Sequence, residues 1–384
     1  MKNSFSRARR GYPAVFISVL LIGSACFFGG SLSKYLGGFA VVSAGVFLPE
    51  GGRAAAMELL ASPPSGSPAA NAAEKNSGDT GTGIFNRDPD SLPKNASDVS
   101  YLIKTPDDII SAMLGAERDF IKGPEALEKQ FSSADGTDSY ELISLKNTTA
   151  SKSVNIESLA ARGIEIDIKD NFEPLVLIYH SHTTESYCLL DNGFFPKGFG
   201  GRAADSGRNM ARIGAEIARE LEGAGISVLH ETKIFDESYS DAYDLSRAAV
   251  KEYLEKYPSI QITIDVHRDA IHYSADSYCK PTAEIMGKKA AQIMILTGAE
   301  EGKISDFPNW EQNLSFALTL YNYAENMYKG LMKPIFFCQR KYNMDLGRYS
   351  LLLEVGADAN TLEEAVFSGR LIGNALAAVI NDYS

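Results

Sequence analysis

Side chains that can bind a metal follow two apolar runs of this sequence. His182 and Glu185 come just after the run at 175–179, and His267 ends the run at 260–266. Two imidazoles and one carboxylate are the ligand set of a catalytic zinc ion that keeps one coordination position open for water. We therefore predict that His182, Glu185 and His267 bind a metal ion.

A third apolar run ends in a carboxylate. Glu354 follows three leucines at 351–353. A carboxylate at the end of a buried strand must be paired, metal-bound or functional, because burying an isolated charge is costly. Near a zinc ion such a group takes a proton from the bound water and passes it to the leaving nitrogen. Glu354 is therefore the predicted general base, and a salt-bridged or capping carboxylate is the alternative.

Other polar residues nearby are candidates for supporting roles. His180 lies on the same side of an extended strand as His182, so it is an alternative first ligand or a residue behind the ligands. Asp269 suits a carboxylate that orients a ligand histidine. Arg268 suits an oxyanion or a substrate carboxylate, although both charged groups would also suit a structural ion pair. Two further candidates for substrate contacts are Asn209 and Arg340.

Strand and helix patterns alternate from residue 174 to the end of the chain. The predicted strands are 175–179, 226–229, 260–266, 290–296, 334–337 and 351–354. The predicted helices are 209–221, 240–257, 309–329 and one that Thr361 opens with a capping box to Glu364. This alternation favours an α/β fold with a mostly parallel, twisted sheet and helices on both faces. Sites in such folds form at the carboxyl edge of the sheet, where the candidate residues would meet.

The chain divides by composition into four regions. Residues 1–34 combine a basic start with an uncharged apolar stretch, which is long enough to span a bilayer as a helix with the basic end in the cytoplasm. A cleaved signal peptide is the alternative. Residues 35–97 are a juxtamembrane and low-complexity tether, and 98–170 is a weakly patterned segment before the domain. Residues 171–384 form the single α/β domain, which the membrane helix would hold outside the cytoplasm.

Charge and cysteine content exclude some functions. The formal net charge of −12 argues against binding to nucleic acid. One of the four cysteines lies in the N-terminal apolar stretch, and no Cys-x-x-Cys motif occurs, so a thiolate zinc site is not indicated. We interpret the other three as buried free thiols.

Two strings of the sequence resemble the signatures of the stage II sporulation protein P family. They are IYHSHTTESY at 178–187 and DVHRDA at 265–270. The order of anchor, tether and α/β region is also similar, and the resemblance covers about residues 170–384. It implies a fold similar to that of zinc-dependent N-acetylmuramoyl-L-alanine amidases.

The resemblance also implies roles for individual residues. In those amidases two histidines and a glutamate bind zinc, and a late glutamate after an aliphatic strand is catalytic. By motif these correspond here to His182, His267, Glu185 and Glu354. The ligand glutamate of the amidases, however, lies at the start of the following helix. Asp205 is the carboxylate that this chain carries there, so it stays open as the alternative to Glu185.

The function that the resemblance implies is hydrolysis of peptidoglycan at the bond between the muramic acid lactyl group and L-alanine. The family is also linked to cutting peptide crosslinks. The implied setting is the sporulation septum and the engulfing membranes, with stage II sporulation proteins D and M as partners. Two other interpretations stay open: a different zinc peptidase acting on wall peptides, and a non-catalytic wall-binding scaffold at the septum.

Overall fold

A computed structural model describes residues 96–168 and 173–384. The predicted membrane anchor and all but the end of the tether lie outside these ranges. Within them, no helix combines the length and the apolar character that crossing a bilayer requires.

The α-helices in the described ranges differ in how they begin, and side-chain caps open only some of them. They are α1 (Ala96–Ile103), α2 (Asp107–Asp119), α3 (Ile156–Arg162), α4 (Met210–Gly223), α5 (Ala242–Lys256), α6 (Trp310–Met327) and α7 (Leu362–Asp382). Asn209 caps α4 by accepting a hydrogen bond from the backbone N–H of Ala211. The predicted capping box of Thr361 and Glu364 opens α7 and satisfies backbone donors that the first helical turn leaves unpaired.

The strands form two sheets. They are β1 (Lys122–Lys129), β2 (Asp138–Tyr140), β3 (Ile143–Asn147), β4 (Val176–Tyr179), β5 (Phe194–Pro196), β6 (Val228–His230), β7 (Ile262–Asp269), β8 (His272–Ser274), β9 (Ser277–Ile285), β10 (Lys288–Ala291), β11 (Ile293–Gly298), β12 (Ile335–Cys338) and β13 (Tyr349–Ala357). The larger sheet has the order β2-β3-β12-β11-β13-β7-β4-β6, and the smaller contains β10-β9-β1-β5 with β8 paired to β9. The mixed α/β class is confirmed.

Three neighbouring strands of the larger sheet deliver the candidate residues to one edge. The strands β13, β7 and β4 lie side by side and run parallel, so their carboxyl ends meet. Glu354 pairs in register with His267, and Tyr179 pairs with Asp265. Because the ladder fixes this register, the base predicted on one strand lies beside the ligand predicted on the next.

Helices cover both faces of this sheet. Alternation along β4 sends Val176 and Ile178 into the main core, where Ile213 of α4 also lies. Leu177 and Tyr179 point the other way and belong to a separate apolar cluster with Val250 of α5. A strand buried on both faces reads as an unbroken apolar run, which is why the sequence located β4 well.

The segment at 98–170 is built into the two sheets, whereas the sequence set it apart from the α/β region. The strand β3 pairs in parallel with β12 at one side of the larger sheet. The strand β1 pairs with β5 and β9 in the smaller sheet. The strand β1, with the sequence KGPEALEK, has exposed and half-buried residues and no fully buried one, so it lacks the apolar pattern by which strands are recognised.

The start of the 98–170 segment also contacts the rest of the domain through one buried arginine. Arg370 of α7 donates hydrogen bonds to the carbonyl oxygens of Tyr101, Leu102 and Lys104 at the end of α1. It also pairs with Glu216 of α4 at 2.8 Å. These bonds satisfy carbonyl groups that the last turn of a helix leaves unpaired.

The run predicted as one strand at 290–296 is two strands, β10 and β11, which belong to different sheets. Gln292 separates them, and its buried amide bonds to the backbone N–H and carbonyl of Phe131. Cys188, Cys279 and Cys338 are buried free thiols, as predicted.

Candidate metal and catalytic site

His267 lies between two carboxylates at the end of β7. Its Nδ1 is 3.5 Å from Oε2 of Glu185, and its Nε2 is 2.8 Å from Oδ1 of Asp265. Burial opposes the charged imidazole, but the Asp265 and Glu185 carboxylates together hold the pKa of His267 well above its usual range. The geometry therefore brings His267 and Glu185 together, as the sequence predicted, and adds a carboxylate behind the histidine.

That added carboxylate, Asp265, was missed in the sequence because it lies inside an apolar run. It accepts hydrogen bonds from the backbone N–H of Ser181 at 2.8 Å and from the Ser181 hydroxyl at 2.6 Å. Asp269, which the sequence assigned to orient a ligand histidine, instead pairs with Lys333 at 3.0 Å. The signal for Asp265 was present: it is two residues before His267, and residues at this spacing share one face of a strand.

A tight turn after β4 carries the other two predicted ligands. The backbone N–H of Glu185 donates to the carbonyl of His182 at 3.1 Å, which places both side chains on one side of the turn. The ring of His182 stands nearly perpendicular to that of His267, with centroids 5.4 Å apart. Burial lowers the pKa of His182, and the nearby His267 lowers it further. His182 is thus favoured as a neutral imidazole, the form that binds metal.

Glu354 lies beside His267 on the adjacent parallel strand. The residue is partly exposed, yet its Oε2 atom is buried and has no hydrogen-bond partner within the described part of the chain. Burial raises the pKa of Glu354 to about 8, with His267 opposing this effect and Asp269 and Glu185 adding to it. A carboxyl group held in this range can exchange a proton near neutral pH.

Unsatisfied buried atoms are the structural test of whether a metal fits. Nδ1 of His182 and Oε2 of Glu354 are buried without partners among the residues described, whereas Nε2 of His267 faces Asp265. Zinc ligands at about 2.0–2.2 Å in a tetrahedral site lie roughly 3.3–3.5 Å from one another. The separation of 3.5 Å between His267 Nδ1 and Glu185 Oε2 has this length. The donor types and the spacing of this pair suit zinc.

The full set of donors is not gathered around one point. Within residues 96–168 and 173–384, no three His, Cys, Asp or Glu side chains converge closely enough to hold a metal ion. Of the three predicted ligands, His267 and Glu185 are the pair whose donor atoms lie close together, and His182 contacts the ring of His267.

Arg268 supports the site from within the protein, although the sequence offered it as a substrate-binding or oxyanion group. Its three guanidinium nitrogens donate to the backbone carbonyls of Ser186, Asp269 and Gly201. Its backbone N–H donates to Oε2 of Glu185 at 3.3 Å. These bonds tie the turn that carries Glu185 to the end of β7, so Arg268 acts as a structural clamp.

His180 points away from His182 and pairs with His230. The two Nε2 atoms are 2.9 Å apart, and Nδ1 of His180 lies 3.0 Å from the carbonyl oxygen of Val266. Burial lowers the pKa of His180 well below its usual range and that of His230 to about 4. The pair is neutral and lies behind the residue that precedes His267, which fits a supporting role for His180.

The remaining candidates lie apart from this cluster. The Asp205 carboxylate is exposed, pairs with Arg208 at 3.5 Å and accepts a hydrogen bond from the backbone of Gly207. Glu185, and not Asp205, therefore lies with the histidines. Asn209 is the cap of α4. The positive charge of Arg340 lowers the pKa of Tyr342, against the larger effect of burial, which raises it.

Three tyrosines lie around the histidines, and no residue spacing in the sequence pointed to them. The ring of Tyr239 stacks on His182, with centroids 4.4 Å apart and planes 9° apart. Tyr243 contacts both histidine rings, and Tyr342 packs against Tyr243 at 5.0 Å. We call Tyr239, Tyr243 and Tyr342 the aromatic rim.

Comparisons with known proteins show which family the chain is similar to. The profile of the family Stage II sporulation protein P matches residues 111–377, which is more than half of the chain. The stage II sporulation protein P of Bacillus subtilis (strain 168) is 33% identical over 202 residues, which are 50% of this chain and 47% of that protein. The match thus spans about half the length of this curated relative.

Solved structures of amidases are similar over about half of the chain. The N-acetylmuramoyl-L-alanine amidase AmiC2 of Nostoc punctiforme is 13% identical, covers 55% of this chain and 96% of its own, and has a TM-score of 0.32. The CwlD amidase from Clostridioides difficile, solved in complex with the GerS lipoprotein, is 13% identical, covers 54% and 97%, and has a TM-score of 0.31. The extent of the profile match, which includes all four residues His182, Glu185, His267 and Glu354, establishes that the chain belongs to the stage II sporulation protein P family.

Proposed function

We propose that the protein is a zinc-dependent peptidoglycan hydrolase, an N-acetylmuramoyl-L-alanine amidase. One observation carries this proposal: Glu354, whose buried oxygen has no partner in the described residues, lies in register beside His267, which contacts Glu185. A metal-ligand pair next to a carboxyl group of raised pKa is the arrangement that metal-assisted amide hydrolysis requires.

Each residue of the candidate site has its own role in the proposed hydrolysis. Zinc held by His182, Glu185 and His267 would polarise the amide carbonyl and make a bound water more acidic. Glu354 accepts the proton of the attacking water and delivers it to the departing alanine nitrogen. Asp265 orients His267, and Arg268 holds the turn of Glu185.

The proposal extends to location and partners. The apolar stretch in residues 1–34 would anchor the protein in the membrane, with the described region on the extracytoplasmic side, facing the septal wall. A tether raises the local concentration of an acidic enzyme at an anionic wall, which it would not reach by electrostatic attraction. The family resemblance supports stage II sporulation proteins D and M as partners and engulfment as the setting.

Digestion of peptidoglycan by the purified full-length protein tests the activity. Products are identified by mass spectrometry with and without a chelator. Free stem peptides that begin with L-alanine, lost on chelation and restored by zinc, are the expected result. Released peptides that do not begin with L-alanine would instead indicate an endopeptidase or a carboxypeptidase. Wall binding without any products, in a protein that takes up no metal, would overturn the proposal in favour of a scaffold.

A further inference from the structure

Tyr239 is an exposed aromatic side chain in contact with a predicted metal ligand. It lies in the loop between β6 and α5 and is 68% exposed, whereas His182 beneath it is 4% exposed. The two rings are nearly parallel, with centroids 4.4 Å apart. Tyr239 therefore presents an exposed aromatic surface directly beside His182.

The loop is tied to the turn that carries His182, so Tyr239 is held in place. The Arg202 guanidinium lies 5.4 Å from the centre of the Tyr239 ring. It donates to the Thr184 hydroxyl at 2.9 Å and pairs with the buried carboxylate of Asp236. Asp236 in turn accepts a hydrogen bond from the backbone N–H of Thr184.

The other end of the aromatic rim is held by an unusual backbone. Tyr342 and Asn343 both have positive φ angles, of 41° and 61°, a conformation that non-glycine residues seldom adopt without compensation. The Asn343 amide donates to the Tyr243 carbonyl and to the Ser246 hydroxyl, each at 3.1 Å. These bonds hold the segment of Tyr342 and Asn343 against α5, where Tyr342 packs on Tyr243.

The two sides of the site differ in chemistry. Tyr239 and Tyr243 lie against the ring of His182, whereas the charges of the Lys333–Asp269 pair both act on Glu354. The proposed substrate has the same division. Its sugar offers C–H groups, which suit the negative faces of aromatic rings, while its stem peptide beyond the scissile bond carries carboxylates.

We propose that the aromatic rim binds the sugar of the substrate, with Tyr239 as the contact that discriminates glycan from peptide. This inference rests on the proposed function. It orients the substrate, with the muramic acid toward His182 and the stem peptide toward Lys333.

Binding of a sugar probe without a peptide tests the rim apart from catalysis. The probe is the disaccharide of N-acetylglucosamine and N-acetylmuramic acid, measured by calorimetry on full-length protein that carries Glu354→Gln. Adding Tyr239→Ala should weaken binding about three- to tenfold, the range of one aromatic contact. Tyr239→Phe keeps the ring and should restore the affinity. The control is Tyr273→Ala, since Tyr273 is 56% exposed and lies on β8, where its hydroxyl interacts with Cys279.

Three outcomes would overturn the inference: disaccharide that does not bind to the parent, affinity unchanged by Tyr239→Ala, or loss of affinity for free stem peptide only. A fall in zinc content without change in sugar affinity would likewise show that Tyr239 serves only to hold His182. If the wild-type protein does not hydrolyse the wall but still binds the disaccharide through Tyr239, the inference about the aromatic rim is supported and the amidase proposal is contradicted. If Tyr239→Ala leaves both wall hydrolysis and disaccharide affinity unchanged, only the inference about the aromatic rim is contradicted.

Discussion

Replacing one carboxyl group can distinguish the proposed metal binding from the proposed proton transfer. Glu354 is next to His267 but is not one of the proposed ligands, so replacing it should leave the metal in place. We expect Glu354→Gln to keep the zinc content of the wild type and to lower the rate of wall hydrolysis by about 10²–10⁴-fold, the usual contribution of a general base. Metal analysis and muropeptide release on the same sample measure the two effects. Retained activity would exclude Glu354 as the base.

The carboxylate behind His267 should control how tightly the metal is held. Asp265 lies 2.8 Å from Nε2 of His267, and removal of such a partner typically weakens metal binding 10–100-fold. We therefore expect Asp265→Asn to lower the zinc affinity by about that factor, measured by competition with a chelating dye. The matched control is Asp269→Asn, because Asp269 pairs with Lys333 instead. Equal losses in both variants would contradict this assignment.

At the scale of elements, α4 can approach β4 and β6 only because it carries a glycine. A Cβ atom at Gly214 would lie 2.5 Å from Nε2 of His230 and 2.6 Å from Nε2 of His180. Although alanine is the better helix former, we expect Gly214→Ala to lower the free energy of unfolding by about 1–3 kcal/mol, as overpacking does. Urea unfolding measures this change.

Gly115 of α2 provides the opposite case within the same chain. A Cβ atom there would meet nothing within 4 Å. Gly115→Ala should therefore raise the free energy of unfolding by about 0.5–1 kcal/mol, the ordinary difference between the two residues in a helix. If Gly214→Ala were stabilising to a similar extent, the close approach of α4 to the histidine pair would be refuted.

The histidine pair between α4, β4 and β6 should make stability depend on pH. Because burial holds the pKa of His230 at about 4, the unfolded chain binds a proton before the folded protein does. Stability from this group is complete above pH 6.5 and is lost as the pH falls. The loss from His230 should reach about 2 kcal/mol by pH 5. His230→Gln should flatten the dependence in urea unfolding between pH 7 and 5, and an unchanged slope would contradict it.

For the whole molecule, the sequence located the strands that are buried on both faces. The strands β4, β7 and β13 appear as apolar runs with polar ends, and their parallel order brings those ends together. The smaller sheet was missed because its strands, such as β1 and β8, are partly or fully exposed and lack an apolar pattern. The predicted boundary at residue 170 rests on the weak apolar pattern before it. A weak pattern does not reveal that β3 pairs with β12.

The candidate site residues were predictable for the same reason as the buried strands. Residues that end apolar runs were found, and Asp265 inside one was not. Tyr239 belongs to a loop, where residue spacing does not indicate contacts in space. Arg268 was correctly placed near the site, but its bonds to backbone carbonyls depend on the path of the chain between Ser186 and Gly201.

The pairing of Glu354 with His267 has a consequence for how the protein is made and maintained. Strand hydrogen bonds set the spacing of base and ligand, while Asp265 and Arg268 set the directions of their neighbours. None of these contacts requires an ion. The protein should therefore complete its fold without zinc and be able to acquire the ion afterwards. Chelation should leave its melting temperature within a few degrees of the untreated value, and adding zinc should restore hydrolysis without a refolding step. Collapse of the melting transition on chelation would instead identify the ion as part of the scaffold.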